Sequence, residues 1–95
     1  MISNNEAFDQ FVTDHRWAVL TALRASGSPV SSVVAYAREA DELVVSTPGG
    51  TFKRQLLEAD GRCNLCVISN SEPFNFVGIE GIASVETENI KASTI

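Results

Sequence analysis

Histidine, cysteine and cationic residues are scarce in this chain, and each shortage removes a class of function. There is one histidine, His15, and there are two cysteines, Cys63 and Cys66. A four-ligand zinc site cannot be assembled from so few within one chain, so no metal site is expected. The two cysteines form a C-x-x-C, but residues 62–69 read as a strand through Leu65, Val67 and Ile68. Residues three apart on a strand face opposite sides, which rules out a shared metal or a relaxed disulfide and leaves two small, buried, apolar side chains. His15, at the end of the first helix, reads as a partner for the helix C-terminus. Seven lysines and arginines stand against twelve aspartates and glutamates, for a net charge of −5. That balance excludes the basic footprint of a nucleic-acid binder. No apolar run reaches bilayer-spanning length, and residues 1–6 lack a cationic-then-apolar leader; a cytoplasmic protein without a membrane partner is expected. Walker and dinucleotide-fingerprint spacings are missing, as are internal repeats and low-complexity segments.

What is present is a small globular chain. Its 95 residues, 44% of them hydrophobic, are too apolar for disorder and suffice for one domain, residues 1–95, with 1–4 and 87–95 expected to be flexible. A domain this small buries roughly two-thirds or less of its unfolded surface, so a partner subunit would help. Ser3 to Glu6 has capping-box spacing, and Phe8, Phe11, Val12 and His15 follow at helical intervals, which predicts a helix over 5–14 with both phenylalanines in the core. Residues 17–25 form a near-continuous apolar run and predict a strand buried on both faces. Residues 30–38 and 43–47 predict the next two strands, joined by a polar turn; Arg38, beside that acidic turn, reads as solvated. A helix then carries Phe52, Leu56 and Ala59, with Gly61 as its expected C-terminal cap. Residues 62–69 and 75–88 are strands, the second interrupted by Gly78 and Gly81, which mark bulges or close approaches. Five strands and two short helices make an α+β chain dominated by antiparallel pairing, expected to close into a small barrel.

Residues 43–53, L-V-V-S-T-P-G-G-T-F-K, hold the main chemical signal. An apolar strand ends in hydroxyl residues, a Pro-Gly-Gly breaker follows, and Lys53 sits in the first turn of a helix. A helix start offers unpaired N–H groups and the positive end of the macrodipole; Gly49 and Gly50 allow close approach, while Ser46, Thr47, Thr51, Lys53 and Arg54 supply donors and charge. This is a pocket suited to a phosphate.

The order W-A-V-L-T-A-L-R-A-S-G-S-P, a strand, L-V-V-S-T, a lysine-bearing helix start, R-C-N-L-C-V and F-N-F-V-G-I-E-G resembles the pyridoxamine 5'-phosphate oxidase-like split β-barrel flavoproteins, over about residues 8–86. The resemblance implies a homodimer with FMN, or alternatively a deazaflavin coenzyme, in a groove between subunits, and an oxidoreductase working by hydride transfer. Carried over by position, Ser32, Val33 and Val34 would border the ring, mainly through backbone groups. Ser46, Thr47, Thr51 and Lys53 would hold the phosphate, and Phe74 and Phe76 would close the groove from the other subunit. No side chain is assigned as a catalytic acid or base, because the chemistry would be the cofactor's. Two departures stand out: Thr51 replaces a frequent arginine, and the chain stops where the family commonly continues. The latter implies an open seam beside residues 75–88. The other readings are a deazaflavin-dependent reductase, a non-catalytic flavin- or haem-binding protein, and a dimerisation domain with an empty groove.

Overall fold

A computed structural model describes residues 1–46, 52–86 and 89–94. The elements run α1 (Glu6–Asp14), β1 (Trp17–Leu23), β2 (Pro29–Ala35), β3 (Ala37–Glu39), β4 (Glu42–Ser46), α2 (Phe52–Ala59), β5 (Arg62–Ile68), β6 (Phe76–Val85) and β7 (Asn89–Thr94). Helix α1 starts because the Asn5 side chain accepts hydrogen bonds from the backbone N–H groups of Ala7 and Phe8, satisfying donors the helix itself cannot. The Ser3 hydroxyl instead accepts from the Asn5 N–H, so the cap is Asn5 and the expected Ser3–Glu6 box is not formed. Val12 is fully buried and Phe11 packs on the core, but Phe8 is exposed, correcting its assignment to the core. His15 stacks on Phe11, with its Nδ1 2.8 Å from the Phe11 carbonyl oxygen at the helix end.

The seven strands form one antiparallel sheet in the order β2-β1-β5-β6-β7-β4-β3. The two edge strands, β2 and β3, are separated in sequence by Tyr36 alone. Consecutive Cα atoms lie ~3.8 Å apart, so opposite edges of the sheet must meet at that residue, and the sheet curls into a barrel. The expected strand over 30–38 is therefore two strands with different partners: β2 pairs with β1, and β3 pairs with β4. Side chains alternate as a closed sheet requires. On β1, Ala18, Leu20 and Ala22 are buried inside while Trp17, Val19, Thr21 and Leu23 face outward, so this strand is not buried on both faces as its apolar run suggests.

The end of the chain departs most from expectation. Residues 89–94 form β7, which pairs with β6 on one side and β4 on the other. The seam expected beside 75–88 is filled. Only Ile90 and Ala92 of β7 point into the core, and the rest of its stabilisation comes from two backbone ladders, which no side-chain pattern announces.

Close packing explains two glycines. A Cβ on Gly61 would lie 2.7 Å from the Ala83 carbonyl oxygen, and one on Gly81 would lie 2.7 Å from that of Ser93. Gly61 is not the left-handed helix cap expected of it: among the described glycines only Gly27, in the β1–β2 turn, has a positive φ, 91°. The β5–β6 register runs unbroken from Arg62↔Ile82 to Ile68↔Phe76. Gly78 therefore marks no bulge, and a Cβ there would meet nothing within 4 Å. Gly61→Ala and Gly81→Ala are expected to lower stability in urea by about 1–3 kcal/mol through overpacking, whereas Gly78→Ala should leave it unchanged or slightly raised. Equal effects at all three sites would refute this account.

Arg38 is not solvated. Its guanidinium donates to the Asp9 carbonyl, the Asp9 carboxylate, the Thr13 hydroxyl and the Ala40 carbonyl, tying α1 to the β3–β4 turn. The Asp9 carboxylate also accepts from the Ile2 and Ser3 N–H groups. The Arg38 hydrogen bond, followed by that from Ile2, holds the Asp9 carboxyl below its ordinary value of 3.8. A lowered folded-state pKa contributes stability that is present above the unfolded value and lost as pH falls through the folded one. Melting temperature should thus fall on acidification below about pH 3.8, and less steeply in Asp9→Asn than in the parent.

Candidate functional site

The barrel is closed at Tyr36 but split above it. Beyond that residue β2 pairs only with β1, and β4 runs past its last β3 partner, Ala37↔Val44, to Val45 and Ser46. Each strand therefore has an edge without a partner strand, and β2 and β4 approach each other across the gap. The hydrogen-bond phase shows which groups face it. Tyr36 donates its N–H to the Arg16 carbonyl, and Arg24 donates its N–H to the Ser28 carbonyl. Bonded pairs alternate along an antiparallel ladder, so Val30, Ser32 and Val34 direct their backbone groups to β1. Ser31, Val33 and Ala35 direct theirs to the open edge. A planar ligand bordered by backbone groups would meet those three residues.

Of the sequence-derived set, Ser32 and Val34 point their side chains into the barrel, and their backbone groups are committed to β1. Val33 has its backbone groups at the open edge and is 65% exposed. Ser46 is exposed at the end of β4, the last described residue before 47–51. Thr47 and Thr51 lie outside the described residues. Lys53, half-buried, is in the first turn of α2, and no ion pair engages it among the described residues. Phe74 and Phe76 are about two-thirds exposed and are positioned by a loop folded around the Ser69 hydroxyl, which accepts the Asn75 N–H and lies within 3.2 Å of the Ser71 and Pro73 carbonyl oxygens. Phe76 lies three strands across the sheet from Ala35, about 14 Å at ~4.8 Å per strand. One chain does not bring these phenylalanines to its own open edge.

Two side chains that the sequence reading left unassigned or counted only as charge also stand at this end. Arg54 is drawn in along α2, 12% exposed and 3.7 Å from Glu58, and its Nη1 is enclosed without a hydrogen-bond partner among the described residues. Arg24, just past the end of β1, holds its guanidinium 6.0 Å from the ring centroid of Phe52, the first residue of α2. Neither has a sequence signature: Arg54 falls on the inward side of a short helix, and Arg24 is 28 residues from Phe52. Among the described residues there is no cluster of three or more histidine, cysteine or acidic side chains able to hold a metal ion, and no helix long and apolar enough to cross a membrane.

The family model described as pyridoxamine 5'-phosphate oxidase matches residues 5–94. The chain belongs to the pyridoxamine 5'-phosphate oxidase family. Solved structures share the fold at low identity. An FAD-binding protein of Mesorhizobium loti is 12% identical, with 90% of this chain and 84% of that one covered at a TM-score of 0.77. An F420 reductase is 11% identical, with 94% and 92% covered at 0.76. The general stress protein 26 of Bacillus anthracis is 15% identical, with 95% and 86% covered at 0.75. No curated protein matches the chain. The seven-stranded split barrel, β7 included, is thus the fold shared with these structures.

The cysteines occupy opposite faces of β5: Cys63 faces the barrel interior, where burial pushes its thiol pKa up, and Cys66 lies outward between Val19 and Gly78. Mild oxidation of the native protein is expected to leave its mass without the loss of two hydrogens that an internal disulfide brings. That loss under native conditions would contradict the strand geometry.

Proposed function

We propose that this pyridoxamine 5'-phosphate oxidase family member binds a flavin-type cofactor in the split, as a homodimer, and serves as an oxidoreductase. The observation that carries the reading is the open edge of β2, where the backbone groups of Ser31, Val33 and Ala35 lead toward Ser46 and the cationic start of α2. A tricyclic ring with hydrogen-bonding edges suits the first part, and a phosphate suits the second. FMN is the simplest such ligand. A deazaflavin coenzyme, the alternative, is supported by the likeness to an F420 reductase. When bound, such a cofactor supplies hydride transfer. The chain's residues hold and orient it, with Lys53 on the phosphate and β2 along the ring.

A second copy of the chain is part of this proposal. The outward face of β2, β1, β5 and β6 carries the register row Ala35, Trp17, Ile68 and Phe76, and beside it Val33, Val19, Cys66 and Gly78. Apolar patches of this kind mark interaction surfaces. A two-fold interface covers the same patch twice and would bring the second copy's Phe74 and Phe76 to a groove they cannot reach within one chain.

Light scattering at micromolar concentration is expected to return a dimer mass, shifted toward monomer in Trp17→Asp; a monomeric parent protein would sink the dimer. In a fluorescence titration with FMN, Lys53→Ala should lose about 1.5–3 kcal/mol of binding, the scale of a hydrogen bond to a charged group, with an unchanged melting temperature. Lys91→Ala, whose lysine is paired with Glu86, should bind as the parent does. Equal affinities for all three proteins would remove Lys53 from the site.

A further inference from the structure

We infer that residues 1–3 are a strap that opens independently of the rest of the fold, with Ile2 as a plug in one mouth of the barrel and the Asp9 carboxylate as its latch. Such a device controls access to the barrel interior, whatever the split binds.

Ile2 is 7% exposed and packs with the core, although Met1 before it is 66% exposed and Asn4 and Asn5 after it are exposed. One buried side chain on an otherwise open segment is placed as a plug. It closes a cavity whose wall is built from Leu43 of β4, Cys63 and Leu65 of β5 and Ile79 of β6. A space of about 10 Å³ remains there, room for about one water, so the plug sits in its seat without filling it. Gly81 and Ala92 also line the seat, and their small size is what admits a side chain from outside the sheet. With Ile2 withdrawn, the mouth becomes an apolar recess with a thiol in its wall.

The latch is one oxygen. Asp9 Oδ1 accepts hydrogen bonds from the Ile2 N–H at 2.8 Å, the Ser3 N–H at 3.3 Å and the Arg38 guanidinium at 3.0 Å. Bonds to an ionised acceptor are the stronger kind. Little else holds the strap. Among the described residues no backbone–backbone hydrogen bond reaches residues 1–4, and the Met1 amine meets Asp41 in a pair exposed on both sides, which contributes little. Opening therefore breaks no strand ladder. Arg38 keeps its bonds to the Asp9 and Ala40 carbonyls and to the Thr13 hydroxyl, so α1 stays docked and the carboxylate stays presented for closure. A short segment held by side-chain contacts alone belongs to the low end of local-opening free energies.

The test reads Cys63 in the full chain carrying Cys66→Ser, with a dithiobis-nitrobenzoate reagent. The Cys63 thiolate attacks the reagent's S–S bond, forming a mixed disulfide and releasing one coloured aromatic thiolate. Labelling of the otherwise unaltered chain should be slow and, at low urea, independent of urea concentration, because a local opening exposes little surface. Ile2→Ala and Asp9→Ala should each label ~10-fold faster, and Asp9→Ala should also lose hydrogen-exchange protection at the Ile2 and Ser3 amides. Thr13→Ala removes a contact of Arg38 but none of the strap, and should label within about twofold of the unaltered chain. Equal acceleration in Asp9→Ala and Thr13→Ala would show that α1 loosens as a whole and overturn the strap. A rate that climbs steeply with urea from the lowest concentrations would overturn it too, since global unfolding would then be the route. Should Asp9→Ala fail to fold, Ile2→Ala decides alone, and an unchanged rate there refutes the plug.

Discussion

The structure depends on a single-residue link. β2 and β3 lie at opposite edges of one sheet, yet only Tyr36 separates them, so the sheet has no open form compatible with its own pairing. The residue is built for the position. Its N–H bonds to the Arg16 carbonyl, and its buried hydroxyl donates to the Val12 carbonyl at 2.7 Å. Burial pushes that hydroxyl up to about 12, so it remains a neutral donor across the ordinary pH range. Closure of the barrel and attachment of α1 therefore occur at one residue, and Arg38, two positions later, extends the attachment through Asp9 and Thr13.

The groove is the geometric remainder of that closure. A continuous strand that pairs with β1 before Tyr36 and with β4 after it must leave one edge of β2 and the end of β4 without strand partners. Edges of this kind are liabilities in a soluble protein. Here Lys53, at the start of α2, has no ion-pair partner among the described residues, and an exposed edge can serve as a hydrogen-bonding wall for a ligand. The barrel interior, by contrast, is narrow. Ala18, Ala22, Ala83 and Ala92 face inward, and Gly61 and Gly81 let neighbouring backbones approach more closely than a side chain would allow. The interior is packed.

Much of this was legible in the residues because it depends on local rules. The run L-V-V is buried throughout in β4, whereas the spacing of Phe52, Leu56 and Ala59 announced the helix but not its buried face, which is Leu57, with Phe52 54% exposed. The opposite-facing cysteines follow from the strand period alone. The order of these segments, taken together, matched the family that the chain belongs to.

Other features required the folded chain. β7 shows only Ile90 and Ala92 to the core, and its place is set by partners on both sides, 5 to 13 residues away in β6 and 43 to 51 away in β4. Tyr36 looks like one more residue in a strand until the two halves choose different partners. Arg38 reads as solvated in sequence and becomes the tie to α1, because Asp9 and Thr13 reach it only through the packing of the helix. Ser31, Val33 and Ala35 take the open edge by the phase of the ladder with β1, whereas the sequence reading named the consecutive Ser32, Val33 and Val34, of which only Val33 has its backbone there. Periodicity determined which segments would be strands and helices and that the two cysteines face opposite sides; only closure of the sheet decided which backbone groups were left without a strand partner, because hydrogen-bond phase is a property of paired strands and not of either strand alone.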